Sequence, residues 1–192
     1  KEISKIAAIH NYYLEVSGGK EDITYSASGG YFSQDGIVRG TSLDRMTLRL
    51  NGESKIRRAI TLGSNISYSQ SRRSTIDENG ESWGVLSTAV RLEPTVPVKN
   101  SDGSFGFSPF VDINNPVATI YYSDEQTKTQ NIVGNAYLKS DFTKNLFFRT
   151  SFGVDMLIKD IYSFIPAYTV SPTQKNTESK ISRGYEKTIN WL

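Results

Sequence analysis

The sequence of 192 residues contains no cysteine and only one histidine, His10. The lack of cysteine excludes a disulfide framework, a thiolate zinc site and a cysteine nucleophile within these residues. His10 has no second histidine or cysteine with which to form a metal site or a nucleophilic pair, and it opens a predicted strand. We therefore predict no catalytic residue, no metal site and no cofactor, and we predict that the protein is not an enzyme.

Long apolar runs are also missing. No stretch approaches the roughly 18 consecutive apolar residues of a membrane helix. The first ten residues, KEISKIAAIH, lack the apolar core and small-residue cleavage site of a signal peptide. A β-barrel crosses a membrane with a much weaker sequence signal, so a membrane protein is not excluded. The charge is balanced, with 22 basic and 20 acidic residues, and we predict no nucleic-acid partner.

What the sequence does contain is a regular alternation of apolar and polar residues. A period of two predicts seven strands. Their predicted bounds are 10–17, 23–33, 44–54, 59–69, 129–141 and 145–158, followed by a seventh strand that begins near Gly184. The clearest alternation places Met46, Leu48 and Leu50 on one face, with Arg45 and Arg49 on the other. Alternation alone does not decide which face contacts water.

The predicted connections alternate between short and long. The short ones are GGKED, a few residues around KIRR, and FTK, whereas the long ones include 70–128 and 159–183. This asymmetry is typical of an antiparallel meander with tight turns on one side of a membrane and long loops on the other. A ten-residue strand tilted near 45° spans about 23 Å, close to the apolar band of such a barrel. We predict an all-β fold that is part of a larger transmembrane β-barrel.

The longest connection, about 70–128, contains the candidate ligand-binding residues. ESWGVLSTAVRLEP predicts a short helix with Trp83, Leu86 and Val90 on one face. NSDGSFGF predicts a small hairpin. We predict that Trp83, Phe105 and Phe107 bind a ligand by aromatic stacking, or alternatively pack within the loop itself. The acidic run IDENGE lacks the spacing of a calcium loop, and we interpret it as a solvated turn.

The polar face carries a second set of candidate residues. If that face lines an aqueous lumen, Arg45, Arg49, Lys139 and Arg149 are lumen-lining residues, and we predict that they pair with acids on neighbouring strands. On the apolar face, aromatic residues near predicted strand ends suit an interfacial girdle; these are Tyr12, Tyr31, Tyr68 and Phe148. Gly29 and Gly30 predict a bulge, a bend or the close approach of another backbone.

Several motifs resemble one family of outer-membrane transporters. The run NYYLEVSGGKEDITYSASGGYFSQDGIVRGTSLDRMTLRLNGESKI is similar to the mid-barrel segment of SusC/RagA-type TonB-dependent transporters. The later runs RLEPTVPVKNSDGSF, INNPVA, GNAYLKSDFTKNLFFRTSFGVD and NWL resemble the same family in the same order. The resemblance implies that residues 1–192 are a segment of a TonB-dependent receptor-like barrel domain, in which 70–128 is a long extracellular loop.

The resemblance also implies an activity and partners for a longer parent protein. That parent would be a 22-stranded barrel of the bacterial outer membrane with an amino-terminal plug. It would import glycan or peptide fragments together with a SusD-like surface lipoprotein, powered by TonB. The composition also leaves open two other classes. One is a soluble carbohydrate-binding β-sandwich, which would bury Leu48, Leu62 and Phe152 between two sheets, and the other is a β-rich glycosidase, which requires two carboxylates.

Overall fold

The computed structural model describes residues 2–57, 59–79, 84–169, 175–176 and 179–191. Its strands are β1 (Ile9–Lys20), β2 (Ile23–Asp35), β3 (Ser42–Arg57), β4 (Ile60–Thr75), β5 (Asp124–Thr143), β6 (Leu146–Ile165), β7 (Tyr168–Thr169), β8 (Lys175–Asn176) and β9 (Lys180–Trp191). Its helices are α1 (Val85–Arg91) and α2 (Pro116–Tyr122). Neither helix is long and apolar enough to cross a membrane, and the same holds throughout the described part of the chain.

One antiparallel sheet accounts for most of the fold. Its seven strands follow the order β1-β2-β3-β4-β5-β6-β9, and β7 and β8 form a separate two-stranded ribbon. The short connections 21–22, 58–59 and 144–145 lie at one end of the sheet, which we call the turn end. The long connections 36–41, 76–123 and 166–179 lie at the opposite end, which we call the loop end. The predicted meander of seven strands is therefore confirmed.

The strands are longer than the alternation predicts, mainly at the loop end. β4 continues to Thr75, β5 begins at Asp124 and β6 runs to Ile165. The connection between β4 and β5 accordingly covers 76–123 rather than 70–128. These extensions are rich in polar residues, so they carry little hydrophobic pattern, yet the backbone ladder pairs them without a change of register.

The two faces of the sheet differ in chemistry, and neither is covered by a second sheet. Leu48, Leu62 and Phe152 share the apolar face and are 47%, 41% and 58% exposed. A β-sandwich would bury these side chains between two layers. The soluble-sandwich interpretation is therefore wrong. The buried hydrophobic residues lie instead in or beside the loops; they are Ile76, Val85, Phe105, Ile113 and Ala118.

The apolar face has a defined height. On β6 its residues run from Phe148 to Ile158, about 34 Å along the strand, or about 24 Å after a 45° tilt. Towards the loop end, the apolar band stops at a hydrogen-bonded polar group. Gln130 Nε2 donates to Gln70 Oε1 at 3.1 Å, and the hydroxyl of Tyr68 donates to the same oxygen at 3.2 Å.

The next cross-strand row on this face is charged across the four strands β3 to β6. Asp44, Arg72, Lys128 and Asp160 lie side by side in register on β3 to β6. Such a row is costly in hydrocarbon but not in water or among polar headgroups. The apolar band therefore matches the roughly 25 Å expected of a transmembrane barrel, and the strands continue beyond it at the loop end.

Gly29 and Gly30 lie within a regular part of β2. The register with β1 and β3 is continuous through both residues, so the predicted bulge is absent. A Cβ added to Gly30 would lie 2.9 Å from Thr47 Oγ1 and 3.7 Å from the Tyr13 ring. The glycine thus leaves space for side chains of the two neighbouring strands rather than for a kink.

Candidate functional site

The polar face forms a continuous hydrophilic wall. One row across β2 to β5 consists of Ser26, Asn51, Asn65 and Asn135. Asn51 Nδ2 donates to Ser26 Oγ at 2.9 Å, so adjacent strands are linked by their side chains as well as by their backbones. Because the opposite face carries the apolar band, this wall is the face that suits water.

The predicted cations all lie on this wall, but not as cross-strand ion pairs. The Arg45 guanidinium lies 5.5 Å from the Phe32 ring centroid, and that of Arg149 lies 4.2 Å from the Tyr137 centroid. Lys139 Nζ pairs with Asp141 on its own strand at 2.9 Å. Arg49 makes no ion pair with any described residue.

The predicted pairing with acids on neighbouring strands is therefore wrong. The register explains why, since Arg49 lies opposite Ser28 on one side and Ser67 on the other. Aromatic rings lie beside Arg45 and Arg149, and serines lie opposite Arg49; only Lys139 has a carboxylate partner, Asp141 on its own strand. Cation–π contacts of this kind stabilise an exposed cation by about 0.5–1 kcal/mol.

Near the turn end, Tyr137 lies flat across the sheet. Its hydroxyl donates a hydrogen bond to the Glu53 carboxylate, and its ring lies directly over Gly63 of β4. A side chain at Gly63 would occupy the space of that ring. The Arg149 guanidinium lies 4.2 Å from the centroid of the same ring, so residues of four strands meet at Tyr137.

At the loop end, the described residues of 76–123 fold into a compact body that we call the loop unit. Asn115, which is 2% exposed, ties it together. Its Oδ1 accepts from Val117 N at 3.0 Å and so caps α2, while Nδ2 donates to the carbonyl oxygens of Val98 at 3.3 Å and Gly106 at 3.1 Å. One side chain therefore joins a helix to the neighbouring hairpin.

The loop unit is also bound to the other long connections. Asn114 Nδ2 donates to Thr119 Oγ1 at 2.8 Å and to the hydroxyl of Tyr168 at 3.2 Å. The Tyr168 ring stacks on Tyr122 with centroids 4.2 Å apart, and burial raises the pKa of Tyr168. Gly40, at φ +86°, turns the β2–β3 connection against Ile76.

The aromatic residues predicted to bind ligand have different surroundings. Phe105 is 6% exposed, and its ring packs against Tyr121 and Tyr122 at 5.7 and 5.6 Å. The Phe105 ring packs within the loop unit and has no exposed face on which a ligand could stack. Phe107 is half-buried, and Trp83 lies outside the described residues.

The predicted helix is present as α1, but it buries a different face. Val85 and Thr88 are fully buried, whereas Leu86 and Val90 are 39% and 88% exposed. Helix α2 was not predicted from the sequence. Its signal is the pair Asn115 and Pro116, because Asn is a favoured cap and Pro a favoured first helical residue.

Between the loop unit and the polar wall lies a cavity of about 980 Å³. We call it the loop-end cavity. The wall contributes Ser71, Arg73, Thr127, Thr129 and Lys159. The β2–β3 connection and the start of the loop unit close the other sides, with Thr41, Asp77, Glu78 and Asn79 among their lining residues.

Two of the wall residues, Arg73 and Lys159, are cations that make no ion pair with any described residue. Neither was predicted as a site residue, because the predicted strands ended at Ser69 and Ile158. The alternation itself contained the signal. Continued by two residues per step, it places Arg73 on the same face as Ser71, and Lys159 on the same face as Asp155.

Within the described residues, no three His, Cys, Asp or Glu side chains cluster as a metal site would require. Of the acidic run at 76–81, Asp77 accepts a hydrogen bond from Asn79 N at 3.2 Å, as in a polar turn. Residues 80 and 81 lie outside the described part.

Comparison with known proteins identifies relatives of the whole segment. No known protein-family profile matches the chain. The chain is 29% identical over 197 residues to the TonB-dependent receptor P3 of Formosa agariphila, covering 100% of this chain and 20% of the receptor. It is 28% identical over 152 residues to TonB-dependent receptor P26 of the same organism, covering 78% of this chain and 15% of that receptor. The chain thus spans about a fifth or less of the length of these curated relatives.

Solved structures share the fold. The RagAB peptide importer in its closed-closed state matches with a TM-score of 0.75 at 19% identity, over 99% of this chain and 22% of that one. The open-open state of the same importer gives a TM-score of 0.71 at 19% identity, over 93% of this chain and 20% of that one. The chain is thus similar in sequence to TonB-dependent receptors and in fold to part of the RagAB peptide importer, which bears out the resemblance.

Proposed function

We propose that this chain forms part of the barrel wall of an outer-membrane importer, with its apolar face towards lipid and its polar face towards the lumen. The observation that supports this most directly is the combination of an uncovered apolar band about 24 Å high with a hydrophilic opposite face. The band ends at the charged row of Asp44, Arg72, Lys128 and Asp160. In this proposal residues 1–192 are a segment of a TonB-dependent receptor-like barrel domain, and the loop end is extracellular.

We propose that the parent protein takes up glycan or peptide fragments, with TonB as the energy source and a SusD-like lipoprotein as a surface partner. Large apolar side chains that are exposed on the loop unit support a partner on the outer face. Phe110 is 83% exposed, Val90 88% and Tyr121 69%. Exposed apolar residues grouped at one end of a protein are typical of an interaction surface.

In this proposal the lumen-lining residues Arg45, Arg49, Lys139 and Arg149 follow the path of the substrate along the wall. The loop-end cavity is its first polar compartment beneath the loop unit. Phe107 and Trp83 remain proposed ligand contacts at the outer face. The chain is proposed to act by binding and passage, without covalent chemistry.

Because this chain has no cysteine, single cysteine substitutions in the parent protein test its placement in the membrane. We expect Asp102→Cys, in the loop unit, to react with a membrane-impermeant maleimide on intact cells. Asp22→Cys, at the turn end, should react only after the outer membrane is permeabilised. Leu48→Cys, in the apolar band, should resist labelling in both conditions. The parent without a substitution gives the background.

The opposite pattern, with Asp22→Cys labelled on intact cells and Asp102→Cys protected, would contradict the proposed orientation. Equal labelling of Leu48→Cys and Asp102→Cys would contradict a lipid-facing band. Uptake is tested separately, by comparing accumulation of fluorescent oligosaccharide and peptide fragments in cells with and without the parent gene. Accumulation should stop when the proton gradient is collapsed.

A further inference from the structure

The lining of the loop-end cavity includes two cations, Arg73 and Lys159, and three carboxylates, Asp35, Asp77 and Glu78. Arg73 and Lys159 line it from the polar wall and make no ion pair with any described residue. Two of the acids in its lining already accept other hydrogen bonds. Asp35 pairs with Lys5 at 2.8 Å, and Asp77 accepts from Asn79 N.

The register brings the two cations within reach of one ligand. Arg73 lies opposite Thr127 on β5, and Lys159 lies opposite Thr129 of the same strand. Two strand spacings and a step of two residues separate their Cα atoms by about 12 Å. Both side chains are long and lie on the same face, so they can contact neighbouring groups on one ligand.

Hydroxyl and amide groups surround this pair of cations. Ser71, Thr127 and Thr129 line the wall between and beside them, and Gln34 and Asn79 contribute from the sides. No aromatic residue contributes to the described lining, and Leu43 and Ile76 are its only large apolar side chains. A ligand with many hydroxyl groups matches this lining better than a peptide, whose apolar side chains would need pockets.

We infer that Arg73 and Lys159 bind the carboxylate or sulfate groups of an acidic oligosaccharide in the loop-end cavity. This inference rests on the proposed import function and narrows its substrate class. Arg forms paired hydrogen bonds to a planar carboxylate, while Lys acts as a point charge. At about 980 Å³, the cavity is at the upper end of the range for small-molecule sites, which suits a short oligomer.

Glu78 allows a test in which removing a negative charge and removing a positive charge have opposite effects on ligand binding. Its side chain lines the same cavity and has no described ion-pair partner. A carboxylate there repels an anionic ligand, so its removal should strengthen binding while removal of either cation weakens it. A merely structural role for these three residues would not reverse the effect in this way.

The test uses the full-length parent in detergent, with oligogalacturonate as the acidic probe and its methyl ester as the neutral probe. We expect Arg73→Gln and Lys159→Gln each to weaken binding of the acidic probe about tenfold at low salt, because each removes a charged hydrogen bond. Glu78→Gln should strengthen that binding a few-fold. The losses should shrink as salt is raised. A sulfated oligosaccharide distinguishes sulfate from carboxylate as the preferred group.

Arg72→Gln is the matched control, because Arg72 is adjacent in sequence but lies on the opposite face. It should leave binding of the acidic probe unchanged. Equal losses for Arg72→Gln and Arg73→Gln, equal affinity for both probes, or no binding of either acidic oligosaccharide would overturn the inference. Tighter binding of hexaglutamate with the same dependence on Arg73 would overturn the choice of an oligosaccharide. The proposed function is contradicted by a different result, namely the reversed pattern of cysteine labelling.

Discussion

A charge placed in the middle of the apolar band should be far more costly than the same charge on the adjacent wall residue. Ile66 lies on the apolar face of β4, opposite Leu50 and Gly134, and is 48% exposed. It is four residues from Gln70, where the band ends, which places it about 10 Å inside the band after a 45° tilt. That depth is close to the midplane.

The expected magnitude follows from this depth. Arginine at the bilayer midplane of a barrel costs about 2–4 kcal/mol, which lowers the folded-to-unfolded ratio about 30- to 700-fold. Asn65 is the adjacent residue on the polar wall, where an added charge contacts water. Asn65→Arg should therefore change the free energy of unfolding by less than about 0.5 kcal/mol.

The assay is reversible denaturant unfolding of the full-length parent in lipid vesicles, with Ile66→Arg and Asn65→Arg compared under the same conditions. The difference between the two variants removes effects of the arginine on the unfolded chain. Equal costs for both, or a higher cost for Asn65→Arg, would refute the assignment of the faces. A cost below about 0.5 kcal/mol for Ile66→Arg would refute the membrane position of this band.

Three further outcomes test individual contacts. Gly63→Ala should displace the Tyr137 ring and lower the free energy of unfolding by about 1–3 kcal/mol, and much of that loss should vanish in a Tyr137→Ala background. Asn115→Ala removes the α2 cap and leaves carbonyls unpaired, so amide exchange in the loop unit should accelerate while that of the sheet is unchanged. The Ser104 hydroxyl and backbone N–H donate to the Asp102 carboxylate and lower its pKa. In the folded protein the pKa of Asp102 lies below its ordinary value of about 3.9. The two hydrogen bonds should therefore be intact above about pH 3.9 and should be lost as the pH falls through the lowered pKa. The amide resonance of Ser104 measures this loss.

Matched controls are present in the same chain. A Cβ at Gly52 meets nothing within 4 Å, so Gly52→Ala should cost far less than Gly63→Ala. The side chain of Asn145, in the β5–β6 turn, makes no hydrogen bond with described residues. Asn145→Ala should therefore leave the rate of amide exchange in the loop unit unchanged. Similar effects for a variant and its control would show that the contact named here is not the cause. A Ser104 amide resonance that does not change down to pH 2 would contradict the link to Asp102.

The sequence predicted the sheet well because alternation is a local property of the chain. Met46, Leu48 and Leu50 identify one face of β3 without any knowledge of its neighbours, and the structure places all three on the apolar face. Strand ends were less well predicted. Beyond Ser69, β4 continues through polar residues, and only its pairing with β3 and β5 shows that it is still a strand.

The candidate site was predicted only in part, because it depends on contacts between distant segments. Arg45 and Arg149 were correctly placed on the polar face, yet their contacts are aromatic rings that the sequence alone does not locate. Phe105 was predicted to contact a ligand or to pack within the loop, and its neighbours come from α2, sixteen or more residues away. The loop-end cavity lies between the sheet and two separate connections, 36–41 and 76–123, and was not predicted.

The amino-acid sequence by itself determined the strands, their antiparallel order and the chemistry of each face. Both the period of two and the length of each connection are local properties that can be read from the sequence. Only the tertiary structure decided the register, which sets the neighbours of every side chain. The register put Arg73 and Lys159 on one wall without acidic partners. It also aligned Asp44, Arg72, Lys128 and Asp160 into one charged row at the edge of the apolar band. The physical reason is that cross-strand contacts depend on pairing between residues far apart in sequence, whereas alternation depends only on adjacent ones.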